Sequence, residues 1–333
     1  MKIIQVFRKK NARFFSIENV FGRINRAWPL AEKPEELNLP HSGIAFPNLL
    51  FLLNNSKRKK NTIFHVTGDA HYAVLALPRN CTILTIHDSV FFEQHKGLKL
   101  WVLKKILLDI PVWYCRYITA ISEKSKQEIM ENTACDPLKI KIIPNPVSPA
   151  IYFQPKEFNQ ECPVLLFIGV KPNKNLERVC EAIQSIPCKL HIIGKLFEKQ
   201  VSILKEFGIR YEAVSGISEE EVAMKYAEAD IILFPSLYEG FGLPVIEGFK
   251  AGRVVVTSNI RPMNDIAENA ACLVDPLDVH SIREGVLKTI HNKAYREQLI
   301  TRGFEVVKKY QPETIALQYF QLYQEVYNKT CVE

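Results

Sequence analysis

No run of eighteen apolar residues occurs in these 333 residues, so no stretch reads as a helix that spans a bilayer. The opening MKIIQVFRKKNARFF has too short an apolar core for a signal peptide and reads instead as a first strand, Ile3 to Phe7. The eight cysteines (81, 115, 135, 162, 180, 188, 272 and 331) form no C-x-x-C pair and no His-linked zinc spacing. With no export signal they are expected to be free thiols of a cytoplasmic protein, mostly packing residues. There is no low-complexity segment and no internal repeat beyond two similar α/β halves. These absences argue against a membrane span, a disulfide scaffold, a zinc finger and a solenoid.

What remains is a globular composition, 47% hydrophobic and 24% charged, with enough length for two ordinary domains. The net charge of +7 is unevenly spread. Residues 1–150 carry 22 Lys and Arg against 12 Asp and Glu, leaving 21 against 24 for residues 151–333. The basic excess belongs to the first half. It suits a polyanionic or membrane-surface partner there.

One stretch concentrates the chemistry: IILFPSLYEGFGLPVIEGFKAGRVVVTSN, Ile231 to Asn259. Ile231 to Phe234 is a short apolar run of the kind buried on both faces of a parallel sheet. A tight loop with Gly240 and Gly242 follows, and Pro244 stands where a helix would start, at a position with no amide bond to lose. Gly252 suits the helix end, and Val254 to Thr257 reads as the next strand. Glu239 precedes the loop, and Glu247, eight residues on, is expected in the first helical turn. Loop amides and a helix N-terminus favour an anion, while an ionised glutamate accepts hydrogen bonds from vicinal hydroxyls. Phosphate at one end and sugar hydroxyls at the other describe a sugar nucleotide. A dinucleotide fingerprint fits less well, because its third glycine would fall on Val245.

The string resembles the E-x7-E motif of retaining glycosyltransferases of GT-B architecture, and most closely their family 4, the glycosyl transferases group 1. The resemblance implies an α/β fold of two Rossmann-like domains facing across a cleft. It implies that Glu247 holds the nucleotide ribose, that Glu239 lies beside the donor sugar, and that the amides of Phe241, Gly242 and Leu243 approach the sugar and its diphosphate. Further segments fit the same pattern. The strand Val164 to Ile168 turns at Gly169 into Lys171-Pro172-Asn173-Lys174-Asn175-Leu176, a mouth whose cations can clamp a diphosphate. Lys174 matches the family's lysine. The accompanying arginine is missing: Val170 or Asn173 stands in its place, with Lys171 as a substitute cation. Val214 to Ser218, with Gly216 and Ile217, resembles the loop whose backbone reads the nucleotide base.

In the first half, Lys9 to Arg13 sits where relatives carry a glycine-rich acceptor loop, but contains no glycine. Residues 29–42 read as loop, and Phe46 to Leu53 is apolar. The run Lys57 to Lys60 is a solvated turn or, against anionic lipid, a contributor of roughly 1 kcal/mol per charge. The strand Thr62 to Val66 leads into a polar, histidine-bearing segment, His65 to Tyr72, and the strand Thr82 to Ile86 leads into His87-Asp88. Ligands of open α/β sheets bind beyond the carboxyl ends of strands. The resemblance assigns His87 to the donor sugar, and Asp69, His71 and Asp88 are acceptor-side candidates. A zinc site among these side chains has no known finger spacing, so neither metal nor cofactor is expected. From Leu98 to Leu108, Leu100, Trp101, Leu103, Leu107 and Leu108 can share a helix face, expected in the core with Pro111 ending the helix. A basic helix bearing an aromatic also suits a membrane interface.

Prolines 144, 146, 149 and 155 mark a boundary between domains 1–148 and 149–311. Residues 312–333 read as an aromatic amphipathic helix, which the resemblance implies crosses back to the first domain. The expected activity is retaining transfer of a sugar from a nucleotide-diphosphate donor to a glycan or lipid-linked acceptor, in capsule or O-antigen assembly. The anionic inner face of the cell membrane is a further partner and nucleic acid is not. Two alternatives keep the same fold: a sugar-nucleotide epimerase, which would turn over without acceptor, and a non-catalytic binding protein, for which the missing arginine argues. The intact glutamate pair argues against the latter.

Overall fold

The computed structural model describes residues 1–10, 16–56, 61–87 and 97–330. The chain forms two compact units, Met1–Pro146 with Pro312–Glu333, and Val147–Gln311. The closing helix thus lies in the first unit.

Six strands make the sheet of the first unit: β1 (Lys2–Phe7), β2 (Glu35–Asn38), β3 (Thr62–Val66), β4 (Thr82–Ile86), β5 (Tyr117–Ala120) and β6 (Ile140–Ile142). Their order is β2-β1-β3-β4-β5-β6 and every pairing is parallel. β1, β3, β4 and β5 are buried at nearly every position because helices cover both faces. Ile4, Val6, Phe64, Val66, Leu84 and Ile86 pack on one face. Ile3, Phe7, Ile63 and Ile83 pack on the other, against Phe21 and Ile24 of helix Ser16–Arg26 and Tyr319 and Tyr323 of helix Pro312–Thr330. β2 lies within the proline-rich 29–42 segment expected to be loop. It is a short edge strand, exposed at Glu35 and Glu36, and its backbone pairing with β1 leaves no apolar alternation to read.

The segment 97–114 also departs from expectation. Helix Gly97–Lys104 runs through a π turn, Lys105–Asp109, into helix Ile110–Tyr114. Pro111 does not end it, because its missing amide falls in the first turn of that last piece, where a proline is tolerated. Trp101 does not join the core: it is 59% exposed, whereas Leu108 is buried.

The second unit holds β7 (Val164–Ile168), β8 (Lys189–Ile193), β9 (Tyr211–Val214), β10 (Ile231–Phe234), β11 (Val254–Ser258) and β12 (Cys272–Val274), all parallel, in the order β12-β11-β10-β7-β8-β9. β10 and β7 are central neighbours, so the loops leaving their carboxyl ends meet. Of the described residues, seven cysteines are free thiols. Burial pushes the thiols of Cys115 and Cys180 up to about 12 and that of Cys188 up to about 11.

Candidate active site

In the second unit the two loops are tied at one carboxylate. Lys174 Nζ lies 2.5 Å from Glu239 Oε1, and Ser236 Oγ lies 2.5 Å from the same oxygen. Asn173 Nδ2 donates to the Tyr238 carbonyl at 2.8 Å and reaches Glu239 Oε1 at 3.4 Å. Lys174 Nζ also sits 4.7 Å from the centre of the Phe234 ring, whose face attracts a cation. Gly169 makes this geometry accessible. Its φ is +86°, and a Cβ there would stand 3.0 Å from Lys174 Cε. Asn175, itself left-handed at φ +68° and buried, donates to the carbonyls of Pro235 (3.1 Å) and Pro276 (2.6 Å). The loops after β7, β10 and β12 are therefore fixed relative to one another by side-chain bonds to backbone.

Glu239 thus gathers a cation and two neutral donors within a short reach, an environment that fixes the orientation of its carboxylate. Lys171 is exposed at the same mouth. Asn173, one of the two residues in the missing arginine's place, is used to knit the loop, and Val170 packs toward Gly194.

Helix Leu243–Lys250 begins after Gly242, whose φ of +106° and the 3.1 Å approach of Ile266 Cδ1 to a would-be Cβ require glycine. Pro244 occupies the helix start as expected. Glu247 is the fifth residue of the helix, so it stands one turn in rather than in the first turn. Tyr226, fully buried on helix Glu219–Glu228, donates its hydroxyl to Glu247 Oε2 at 2.8 Å. Phe241 turns inward, edge-on to Tyr310 with ring centres 5.8 Å apart. Gly216, with φ +70°, and Ile217 follow the carboxyl end of β9, and Ser218 caps the next helix in a capping box with Glu221.

Tyr226 and Ser236 were not singled out in the sequence. Ser236 had a local signal, a hydroxyl directly past the strand and three residues before the glutamate. Tyr226 had none, being 21 residues from the carboxylate that it holds.

In the first unit His87 leaves the carboxyl end of β4 and donates from Nε2 to the Thr67 carbonyl at 2.8 Å, which leaves Nδ1 as the acceptor. Burial lowers its pKa, and the Arg8 guanidinium adds to the effect against the Thr67 bond, Asp69 and Glu18. His87 is therefore neutral at pH 7. Gly68, with φ +144°, admits the ring: a Cβ there would lie 2.7 Å from His87 Cδ2. Asp69 is exposed and ion-paired with Arg8, which also bonds Glu18 through two nitrogens at 3.0 Å. Arg8, past the end of β1, was not foreseen.

His71 points elsewhere: it is buried, with Nδ1 2.6 Å from the Leu107 carbonyl, and braces the π turn. His65 belongs to β3 and not to a loop. It is fully buried between Tyr323 Oη and Thr85 Oγ1, each at 2.6 Å, and burial lowers its pKa to about 3. Asp88, Asn11 to Arg13 and the run Lys57 to Lys60 lie outside the described residues. Among the described residues no group of three or more His, Cys, Asp or Glu side chains is placed to hold a metal ion.

Two six-stranded parallel α/β units, with glycine loops and acids at the carboxyl edge of the second, define a protein of GT-B fold. Comparison with known proteins adds likenesses of sequence and of fold. Residues 150–306, just under half of the chain, match the model of the glycosyl transferases group 1. It is 26% identical over 297 residues to O-antigen chain mannosyltransferase B of Escherichia coli, covering 79% of this chain and 74% of that one. It is likewise 26% identical over 220 residues to O-antigen chain mannosyltransferase RfbU of Salmonella typhimurium, covering 64% and 61%. Among solved structures, Anabaena Alr3699/HepE, in complex with UDP and glucose, superposes with a TM-score of 0.77 at 13% identity over 98% of this chain and all of that one.

Proposed function

We propose that the chain transfers a sugar from a nucleotide-diphosphate donor, with retention of configuration as in family 4, to a glycan or lipid-linked acceptor. The carrying observation is the cluster at Glu239. A lysine, a serine hydroxyl and an asparagine amide converge on one carboxylate beside a glycine-opened helix start. In this reading the donor diphosphate takes Lys174 from Glu239, with Lys171 as the outer cation, and the helix start completes the charge stabilisation. Charge developing on the leaving diphosphate is then met by groups already in place, usually the largest catalytic term. Glu239, released, accepts from the sugar hydroxyls, Glu247 from the ribose, and the Gly216–Ile217 backbone lies at the base. No resident cofactor is used. His87 is a separate candidate for the donor sugar.

Mannose is the proposed sugar, because the two relatives above are named as mannosyltransferases of O-antigen chains. Cell-surface polysaccharide assembly is the matching context, at the cytoplasmic face of a membrane that offers the lipid-linked acceptor. The test is a thermal-shift panel of UDP-, GDP-, ADP-, CMP- and dTDP-sugars. A cognate donor at a hundredfold excess over Kd adds about 2.7 kcal/mol. A panel in which no sugar nucleotide moves the transition contradicts the reading.

A further inference from the structure

The helical segment 97–114 of the first unit carries an apolar face turned to solvent. Leu98 (77% exposed), Trp101, Val102, Ile110 and Trp113 (67% exposed) belong to it. In an uninterrupted α-helix Ile110 and Trp113 would rotate away from the first three. The π turn at Lys105–Asp109 takes up an extra residue and sets later positions back by about 100°, which returns both to one stripe. The opposite side, with Leu108, Pro111 and Val112, faces the core. Two indoles and three aliphatic side chains therefore stay in water along one line.

Cations flank that line. Lys105 Nζ lies 6.0 Å from the Trp101 ring centre, and Arg79 lies 5.4 Å from that of Trp113. Beside the stripe is a cavity of about 440 Å³ lined by Lys104, Lys105 and Lys139 together with Trp113, with Asp109 as its one acid. Leu138, 92% exposed, adjoins Lys139.

We propose that this face is a docking surface for an anionic phospholipid membrane, with the cavity taking a headgroup phosphate and the stripe entering the headgroup–acyl boundary. Indoles and aliphatics on a basic helix suit that boundary, and anionic lipid attracts clustered lysines. Charge selects this occupant over a second copy of the chain. A self-contact would press the same cationic rim against itself, in the half that carries 22 Lys and Arg against 12 Asp and Glu. Among the described residues no helix is long and apolar enough to cross a membrane, so the segment would lie in the interface. The inference deepens the membrane placement proposed above and is independent of the transfer chemistry.

The experiment uses the full chain and vesicles of phosphatidylcholine, alone or mixed equally with phosphatidylglycerol. Cosedimentation is expected with the mixed vesicles and not with the neutral ones, and it should weaken with added salt. Indole emission should shift to the blue, and the change reports Trp101 and Trp113, because Trp28 is already buried. Trp101→Ser with Trp113→Ser, or Lys104→Gln with Lys105→Gln and Lys139→Gln, should weaken binding by roughly tenfold or more. Equal binding to both vesicles, no binding, or binding retained by both variants overturns the proposal. So does a dimer in light scattering that the tryptophan variant dissolves while vesicles stay unbound. Donor thermal shifts are measured on the same samples. A donor shift without vesicle binding removes only the docking face, and vesicle binding without a donor shift removes only the donor reading.

Discussion

Single residues decide the geometry on both units. Gly68 allows His87 to lie against the backbone, and Gly68→Ala would place a Cβ 2.7 Å from the ring at a φ of +144°. The expected cost is about 1–3 kcal/mol, read as a lower midpoint in urea. Tyr226 donates its hydroxyl to Glu247 and so orients it. Tyr226→Phe should weaken donor binding several-fold while costing about 1–2 kcal/mol in stability; an unchanged donor Kd would show that Glu247 needs no such support. His65 gives a pH signature. Its folded pKa, lowered to about 3, lies below the ordinary 6.5, so the unfolded chain takes up the proton first as pH falls. The stabilisation is complete above pH 6.5 and is lost between about 6.5 and 3, with a slope of up to about 1.4 kcal/mol per pH unit. His65→Gln should flatten the acid limb of stability relative to the wild type. An equally steep limb in the variant would refute the assignment.

At the level of elements, the strands were the most legible part. β3, β4, β7 and β10 are short apolar runs bounded by turn residues, and their observed limits match those read from sequence. The glycine loop with its two acids was legible because strand, turn and helix start follow within one local window. What was hidden depends on contacts distant in sequence. The pairing of Lys174 with Glu239 spans 65 residues and the Tyr226 bond 21. The edge strand β2 carries no alternation. Trp101 was read into the core because helical periodicity marks an apolar stripe but not which side the protein covers. The closing helix shows the reverse case, an amphipathic pattern with a definite partner. Deleting residues 312–330 would remove Ile315, Tyr319, Leu322, Tyr323 and Val326 from the first unit's core. At about 1.5–3 kcal/mol for each large side chain, the loss rivals the whole stability of a domain. Limited proteolysis should then digest residues 1–146 and spare 147–311. Resistance of both would contradict the packing.

On the scale of the whole molecule, chemistry and charge are divided between the two units. The second holds the phosphate- and polyol-matching groups, and the first holds the basic excess and the exposed indole stripe. On the proposed reading, the division explains why donor-side candidates could be named residue by residue and the acceptor only as a class. Donor recognition uses backbone turns and acids with strict spacing, whereas an acceptor surface needs only exposed side chains of suitable character.

The most direct test of the central claim is acceptor-dependent release of nucleoside diphosphate from a mannose nucleotide, in wild type, Lys174→Met and Glu239→Gln. Wild type should release nucleotide only when a lipid-linked saccharide is present. Each substitution should lower the rate by about 10²-fold or more, with the circular dichroism of the folded chain unchanged. Release at the wild-type rate by either variant would contradict the account.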